Sequence, residues 1–304
     1  MLHLCCYGEG LIDFTQQGDA FTPHPGGSPY NIAIALGRLG SSVEFCSQLS
    51  QDMFGKRLYH YLQNNQVGVE NVVFSNAPTT LAFVSTPDNA EPEYAFYSQG
   101  AADVELDDSV SIPVTQASIH HFGSISLMQE PCGSYWEKYL SSINGFISFD
   151  PNIRPSLIPH RESYLQRFYR ILSHSDLLRL SVVDLEWLAP ELTIQEFMTK
   201  ILASGVKVIA LTSGGEGAWI YTKDYSLHEP ALDINVVDTI GAGDTFMAGF
   251  LSVIADNDHD LNNINHNQPL LKQALKVGCL AAALNCQKKG ANPPYKEDIK
   301  TLMQ

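Results

Sequence analysis

The chain has 304 residues, of which 44% are hydrophobic, and it carries a formal charge of −15 with an isoelectric point near 4.9. This length and apolar content suffice for a sizeable buried core, in one large α/β domain or two smaller ones. No basic run is longer than two residues, as in Lys288-Lys289. Because binding to a nucleic-acid backbone requires clustered cations, the composition argues against nucleic acid as the main partner.

The cysteines and the hydropathy pattern favour a reduced, cytoplasmic protein. The six cysteines show neither a CxxC pair nor the spacing of metal ligands. The apolar start LHLCCYG is too short for a signal peptide and lacks a basic flank, and no run approaches eighteen apolar residues. We therefore expect no association with a membrane.

The N-terminal third reads as strands separated by Gly and Pro, with a helix among them. The predicted strands are LHLCCYGE, FTPHPGG, VEFCSQL, TLAFVST and YAFYSQ. The β-rich stretches near 14–25 and 80–99 do not fit an alternating pattern as crossover helices would. We predict that these two insertions form a small β-sheet lid over one side of a larger sheet.

From about residue 118, short apolar strands alternate with helical segments. The strands are IHHFGSI, GFISFD, LLRLS and VKVIALT, and the helices include YWEKYLSSI and IQEFMTKILAS. This alternation predicts an α/β fold with a mostly parallel sheet. The last helices are predicted at 243–255 and 270–287, and the Asn/Asp-rich segment ADNDHDLNNINHNQP between them reads as a solvated loop. No linker divides the chain, so residues 1–304 are predicted to form a single domain.

The stretch DTIGAGDTFMAGF, residues 238–250, combines an anion-binding turn with an acid. A strand is predicted at 234–237 and a helix from about Gly243, so that free helix N–H groups face the same opening as Asp244. Gly241 and Gly243 let the main chain turn its amides outward. This arrangement suits phosphoryl transfer, with the amides stabilising the moving group and an ionised Asp244 accepting a hydroxyl proton. The alternative is that Asp244 only caps the helix.

Two further segments point to the same opening. In PGGSPYNIAIALGRLG, Ser28 and Pro29 start a helix as cap and first residue, and Asn31 projects from the first turn beside Gly26 and Gly27, where it can hold hydroxyls. FISFDPNIRP follows a strand and places Arg154 at the carboxyl edge of the sheet, where ligands of open parallel sheets bind.

Two common nucleotide motifs are excluded. No GxxxxGK[ST] motif is present, and GEGLID at 8–13 carries Asp13 where a dinucleotide fingerprint requires Gly or Ala.

With these motifs in this order, the chain resembles the ribokinase-like family of carbohydrate kinases. The resemblance rests on GGSPYNIAIALGRLG and DTIGAGDTFMAGF and extends over essentially the whole chain through GEGLID, TSGGEGAWIY and KKGANPP. Within the family it is most similar to bacterial fructokinases, through IHHFGSISL, FDPNIRPSL, LRLSVVDLEWL and CQKKGANPP. It implies a doubly wound α/β domain with a β-sheet lid, and transfer of the γ-phosphoryl group of ATP to a sugar hydroxyl.

The resemblance also implies a role for individual residues. Asp244 matches the catalytic base, and Gly241, Ala242 and Gly243 match the anion hole. The positions matching or flanking the sugar site are Asp13, Gly26, Gly27, Asn31, Tyr97 and Arg154. The nucleotide site is implied at Thr212, Gly214, Gly217, Asn285 and Gly290. Mg²⁺ is expected with ATP, and a monovalent cation, usually K⁺, is expected near Asp238 and the main chain of Ile240.

Three departures from the family pattern concern the metal and the substrate. Ser181 and Asp184 occupy the places of an Asn and a Glu that orient the Mg²⁺ shell, so that Asp184 would act through water. Arg179 stands where a lysine is usual. The residues after the Phe-Tyr of the lid are Ser98 and Gln99, where many sugar kinases of this branch carry an Arg.

The lid stretch EPEYAFYSQGAADVE has four acids and no Lys or Arg. A charged acceptor would call for a cation there, so a neutral sugar is favoured, with D-fructose first on resemblance. Ribose or a riboside is the alternative, because Phe96 and Tyr97 would stack on a base, and 2-keto-3-deoxygluconate is a third. A catalytically silent nucleotide or sugar sensor is the remaining alternative. The edges of the lid strands also suggest a homodimer through the lid.

Overall fold

A computed structural model of the chain describes residues 1–85, 93–256 and 260–303. The strands in these ranges are β1 (Leu4–Tyr7), β2 (Leu11–Gln17), β3 (Ala20–Gly26), β4 (Val43–Ser50), β5 (Val72–Ser75), β6 (Leu81–Ser85), β7 (Glu93–Tyr97), β8 (Ile119–Gly123), β9 (Phe146–Asp150), β10 (Leu177–Ser181), β11 (Val208–Thr212), β12 (Ala218–Tyr221) and β13 (Ser226–Glu229). The α-helices are α1 (Ser28–Arg38), α2 (Met53–Asn64), α3 (Cys132–Leu140), α4 (Arg161–Leu172), α5 (Val182–Leu188), α6 (Ile194–Ala203), α7 (Ala242–Asp256), α8 (Gln268–Cys286) and α9 (Lys296–Met303).

The larger sheet has the order β13-β12-β11-β10-β9-β8-β1-β4-β5 in the described part of the chain. Its strands pair in parallel from β11 to β5, and β12 and β13 add an antiparallel edge. The predicted α/β fold with a mostly parallel sheet and a separate small sheet is confirmed.

Helices cover both faces of this sheet, because successive residues of each strand point to opposite sides. Along β1, Leu4 and Cys6 belong to one apolar cluster, which also takes residues of α1, α2, α7 and α8. Cys5 and Tyr7 belong to a second cluster, with residues of α3, α4, α5 and α6. Burial on both faces explains why the strands read as short, continuous apolar runs.

The small sheet has the order β3-β2-β6-β7 and lies next to the carboxyl edge of the larger one. Its pairs are antiparallel except for β2 and β6, which are parallel. These strands fall within or beside the predicted lid insertions. Residues 86–92 of the second insertion lie outside the described residues.

Two predicted elements differ from the structure. The strand predicted at 234–237 is wrong: the segment is irregular, and Val237 N donates to the Cys286 carbonyl at the end of α8 instead of to a strand. The Asn/Asp-rich segment is only partly a solvated loop, because Leu261–His266 form a 3₁₀ helix that buries Ile264 at 1% exposure. One apolar residue suffices to dock that turn on the core, and residues 257–259 of the segment are not described.

The segments with polar motifs follow the carboxyl ends of neighbouring strands. Gly8 and Glu9 follow β1, residues 151–154 follow β9, α5 follows β10, and Gly214 follows β11. This edge of a parallel sheet is where ligands of doubly wound folds bind. Among the described helices, none combines the length and the apolarity that a bilayer crossing requires.

Candidate active site

A cavity lies between the lid and the carboxyl edge of the larger sheet, and it brings together distant parts of the chain. The residues that line it and that the sequence singled out are Asp13, Gly27, Asn31, Arg154, Ile240, Gly241 and Asp244. Other residues also line it, including Glu9, Ser28, Tyr94, Phe96 and Ser124. Of these, the sequence suggested a role at the acceptor site only for Phe96, in the alternative of a riboside. We call this space the acceptor cavity.

Asp244 lies in the first turn of α7 and is 7% exposed. Its two carboxylate oxygens accept hydrogen bonds from the N-terminal turn of α1, one from Ser28 Oγ at 2.7 Å and one from Asn31 Nδ2 at 2.9 Å. Burial raises the pKa of Asp244, and the two hydrogen bonds and the nearby arginines oppose that shift. Loss of hydration therefore outweighs the helix N-terminus, which by itself would favour the ionised carboxylate.

Ser28 has a different role from the predicted one. The residue that precedes the helix is Gly27, whose φ of 104° lies in the left-handed region, and the Ser28 side chain makes no capping hydrogen bond. A Cβ on Gly27 would lie 2.6 Å from the carbonyl oxygen of Glu9, so a glycine is required at this close approach. The Ser28 hydroxyl is thereby turned towards Asp244.

Glu9 is a second buried acid at the acceptor cavity, with 1% exposure. Its Oε1 accepts from Ser28 N at 3.0 Å and its Oε2 from Ser126 N at 3.2 Å. Burial raises the pKa of Glu9 to about 7. Ser28 thus connects two carboxyl groups, through its amide to Glu9 and through its hydroxyl to Asp244. Sequence reasoning missed Glu9 because its partners follow other strands.

Asp13 projects into the acceptor cavity from the lid strand β2. A Cβ on Gly26 of β3 would lie 2.0 Å from Asp13 Oδ2, so the glycine makes room for the carboxylate. Burial and the charge of Asp244 raise the pKa of Asp13 to about 7, and Arg154 opposes the shift. The Asp13 carboxylate accepts no hydrogen bond from the residues that the structure describes, which leaves its two oxygens available to a ligand.

The aromatic residue predicted at the sugar site is on the wrong face of the lid. Tyr97 is 66% exposed and does not line the acceptor cavity, whereas Tyr94 and Phe96 of the same strand do. Side chains alternate along a strand, so Phe96 and its neighbour Tyr97 cannot point to the same side. Arg154 lies over the Tyr94 ring, 5.3 Å from its centroid, and donates to the Asn152 side chain at 2.7 Å.

A second cleft, which we call the nucleotide cleft, lies beyond Gly243. The predicted Thr212, Gly214 and Gly217 line it, together with apolar residues Leu232, Ile234, Val236 and Phe246. Asn285 and Gly290 are not among its lining residues, contrary to their predicted positions. Asn285 is fully buried and donates through Nδ2 to the Ile240 carbonyl at 2.8 Å, while Gly290 N donates to Asp238 Oδ2 at 2.8 Å. Both residues therefore stabilise the turn before α7 through hydrogen bonds to Ile240 and Asp238.

The residues for a monovalent cation lie on that same turn. Asp238 accepts from Ile240 N at 3.0 Å and from Gly290 N, and the Ile240 carbonyl accepts from Asn285. A carboxylate offers about four lone-pair positions and a carbonyl two, so both groups keep capacity for a cation. The donor set therefore fits the predicted cation.

A third space joins the acceptor cavity to the nucleotide cleft, and we call it the middle cavity. Its lining includes Arg154, Arg179, Asp184 and residues 239–244. Asp184 lines it as predicted, but its carboxylate is already engaged: it accepts from Ile153 N at 2.8 Å, Ser181 N at 2.8 Å and Ser181 Oγ at 2.6 Å. The described residues contain no group of three or more acids, cysteines or histidines able to hold a metal. A divalent metal would depend mainly on ligands that arrive with a substrate.

Comparisons with known proteins agree with this arrangement. The family model described as pfkB family carbohydrate kinase matches residues 1–298. A fructokinase of Rhizobium leguminosarum bv. trifolii is 38% identical over 258 residues, covering 82% of this chain and 78% of the relative. Fructokinase-1 of Oryza sativa subsp. japonica is 33% identical over 312 residues, covering 97% and 95%. The solved structure of a fructokinase with bound ATP from Xylella fastidiosa has a TM-score of 0.89 at 27% identity, covering 99% and 98%.

The Ser28 hydroxyl is expected to tune the acidity of Asp244. Ser28→Ala removes a hydrogen bond that favours the ionised carboxylate, so the pKa of Asp244 should rise further. A ¹³C NMR titration of the aspartate carboxyl groups measures it, with Asp244→Asn identifying the signal. Ser252→Ala, which removes a hydroxyl bonded to the Gly249 carbonyl on the same helix, is the control and should leave the value unchanged. An unchanged or lower pKa in Ser28→Ala would contradict the assignment.

Proposed function

The chain belongs to the pfkB family of carbohydrate kinases, and from that premise we propose that it transfers the γ-phosphoryl group of ATP to a hydroxyl of D-fructose. The observation that supports this most is the position of Asp244 and Gly241, which line both the acceptor cavity and the middle cavity. A buried carboxylate therefore stands beside outward-turned amides at the meeting point of two binding spaces. Phosphoryl transfer needs a proton acceptor and an anion-stabilising turn at such a point.

In the proposed reaction, Asp244 takes the proton of the attacking sugar hydroxyl. The hydroxyl oxygen forms a bond to the γ-phosphorus while the bond from that phosphorus to the β-phosphate oxygen breaks, and ADP leaves. The amides of Gly241, Ala242 and Gly243 stabilise the charge on the moving group. The raised pKa of Asp244 makes it a better proton acceptor than an exposed aspartate.

Substrate placement follows from the two cavities. Asp13 and Asn31 would hold sugar hydroxyls, with Gly26 and Gly27 allowing close approach and Arg154 at the rim. ATP would occupy the nucleotide cleft with its phosphates over Thr212, Gly214 and Gly217. Mg²⁺ would neutralise charge on the β- and γ-phosphate oxygens and would be held chiefly by them, because Asp184 already accepts three hydrogen bonds.

The charges of the acceptor cavity favour a neutral sugar. The acids Glu9, Asp13 and Asp244 line it, against a single cation, Arg154, among its described lining residues. An acceptor with a carboxylate or phosphate would be repelled by this balance. The fructokinase names of the relatives favour fructose among neutral sugars.

The acceptor is tested by measuring ADP release from Mg-ATP with fructose, ribose, an imidazole riboside, 2-keto-3-deoxygluconate and fructose 6-phosphate. We expect kcat/KM for fructose to exceed the others by at least about tenfold, because one misplaced group costs about that much. Replacing K⁺ by choline should lower the rate if a monovalent cation binds at Asp238 and Ile240. Preference for the riboside would contradict fructose and favour stacking on Phe96. Silence across the panel would favour a non-catalytic sensor.

Replacement of the proposed base gives a second test. Asp244→Asn keeps the size of the side chain but removes its basicity, so kcat should fall by about 100-fold or more while ATP binding persists. Asp52→Asn is a control away from the cavities, because Asp52 accepts from Phe54 N and Gly55 N at the start of α2 and from Thr79, and it lines none of the three spaces. Near-normal turnover of Asp244→Asn would show that Asp244 has only a structural role, through its hydrogen bonds to Ser28 and Asn31.

We also propose that two copies pair through the outer face of the lid. On that face Phe21 is 41% and Tyr97 66% exposed, and both rings contact Phe83. Light scattering should give twice the chain mass of 33.5 kDa, and Tyr97→Glu should lower it towards the monomer. Tyr295→Glu, at a tyrosine beside Arg38 and away from the lid, is the control. A monomeric wild-type protein would contradict this pairing.

A further inference from the structure

Arg179 is a buried cation between the nucleotide cleft and the middle cavity, and it lines both. Its side chain is 7% exposed. Nη1 donates to Asp150 Oδ2 at 2.8 Å and Nη2 donates to Thr212 Oγ1 at 2.7 Å. The guanidinium group therefore lies beside a residue already placed at the nucleotide cleft.

The guanidinium group also packs directly against the turn that begins α7. A Cβ on Gly243 would lie 2.5 Å from Arg179 Nη2 and 2.8 Å from Nη1. Gly243 thus has a second reason to be glycine besides presenting its amide: any side chain would collide with the guanidinium group. The positive charge is held within reach of whatever anion those amides bind.

Three of the five N–H donors of Arg179 have no partner among the described residues: one on Nη1, one on Nη2 and the one on Nε. Its Nε is buried and has no hydrogen-bond partner among the described residues. An unpaired N–H of a buried charged group lowers the stability of the fold, and such groups are rare in native structures. Asp150 and Thr212 take one N–H each from Nη1 and Nη2, which leaves the second N–H of each nitrogen, beside Gly243, for a ligand acceptor in the adjoining cavities.

We propose that Arg179 binds the β,γ end of the ATP polyphosphate and stabilises the charge that moves during transfer, an inference that rests on the proposed kinase function. A planar guanidinium group is suited to two oxygens of a phosphate at once. It also supplies a permanent positive charge where Asp184 has little capacity left for a metal. Two arginines, Arg154 and Arg179, and two aspartates, Asp184 and Asp244, line the middle cavity. The negative charge of the polyphosphate would pair with the two arginines.

A purely structural role for Arg179 makes a different prediction. Asp150 is fully buried, and the Arg179 guanidinium is the cation that pairs with it. If neutralising Asp150 were its whole task, removal of Arg179 would lower stability and weaken all nucleotides alike. Contact with the polyphosphate instead predicts a loss that depends on how many phosphates the nucleotide carries.

The test measures binding of metal-free ATP and of AMP by calorimetry, with EDTA and without any sugar. Arg179→Gln should weaken ATP binding by about 10- to 100-fold, the loss expected for a hydrogen bond to a charged group, and should leave AMP binding within about twofold. Arg179→Lys should recover part of the ATP affinity. Arg167→Gln is the matched control, because Arg167 is similarly enclosed at 12% exposure and pairs with Glu130 and Glu137 away from both clefts.

Equal losses for ATP and AMP, or an unchanged ATP affinity, would overturn the inference and leave the kinase function standing. If Arg179→Gln does not fold, Asp150→Asn combined with Arg179→Gln removes both charges of the pair and takes its place with the same expected result. Asn at 150 keeps an acceptor for the amide of Asn152. A wild-type protein that binds neither metal-free ATP nor Mg-ATP would overturn both the inference and the proposed function.

Discussion

The architecture depends on one constraint: a carboxylate is buried at the edge of a cavity where two helices begin. Asp244 opens α7, and its oxygens are held by Ser28 and Asn31 of α1, more than 200 residues earlier. Both helices pack on the same side of the larger sheet, in the same apolar cluster. The core therefore fixes the relative position of the two helix starts, and with it the two hydrogen bonds to Asp244.

Much of this arrangement could be predicted from local patterns. The Gly-Ala-Gly-Asp and Gly-Gly-Ser-Pro segments each predict the N-terminus of a helix. The alternation of apolar strands with helices predicts that both lie at one edge of the sheet. Asp13, Asn31, Arg154 and Asp244 do meet there. Their roles in binding and transfer stay predictions, and Asp244→Asn tests the role in transfer.

The other features of the site depend on contacts between distant residues, which local sequence patterns do not predict. The Ser28 hydroxyl reads as a helix cap, and only the approach of α7 makes Asp244 its acceptor. Glu9 looks like an ordinary turn residue until β8 brings the amide of Ser126 beside it. Tyr97 was misplaced because a shift of one residue along a strand reverses the face, and aromatic character does not specify the register.

The segment 239–244 contributes to the lining of all three spaces, and this limits which substitutions can change the acceptor preference alone. Its residues border the acceptor cavity, the middle cavity and the nucleotide cleft together. A change there would alter the handling of both substrates at once, so it offers no route to a new acceptor alone. Phe96, by contrast, borders only the acceptor cavity among these three spaces. New acceptor preferences are therefore most accessible through the lid strands, while the phosphoryl-transfer apparatus stays as it is.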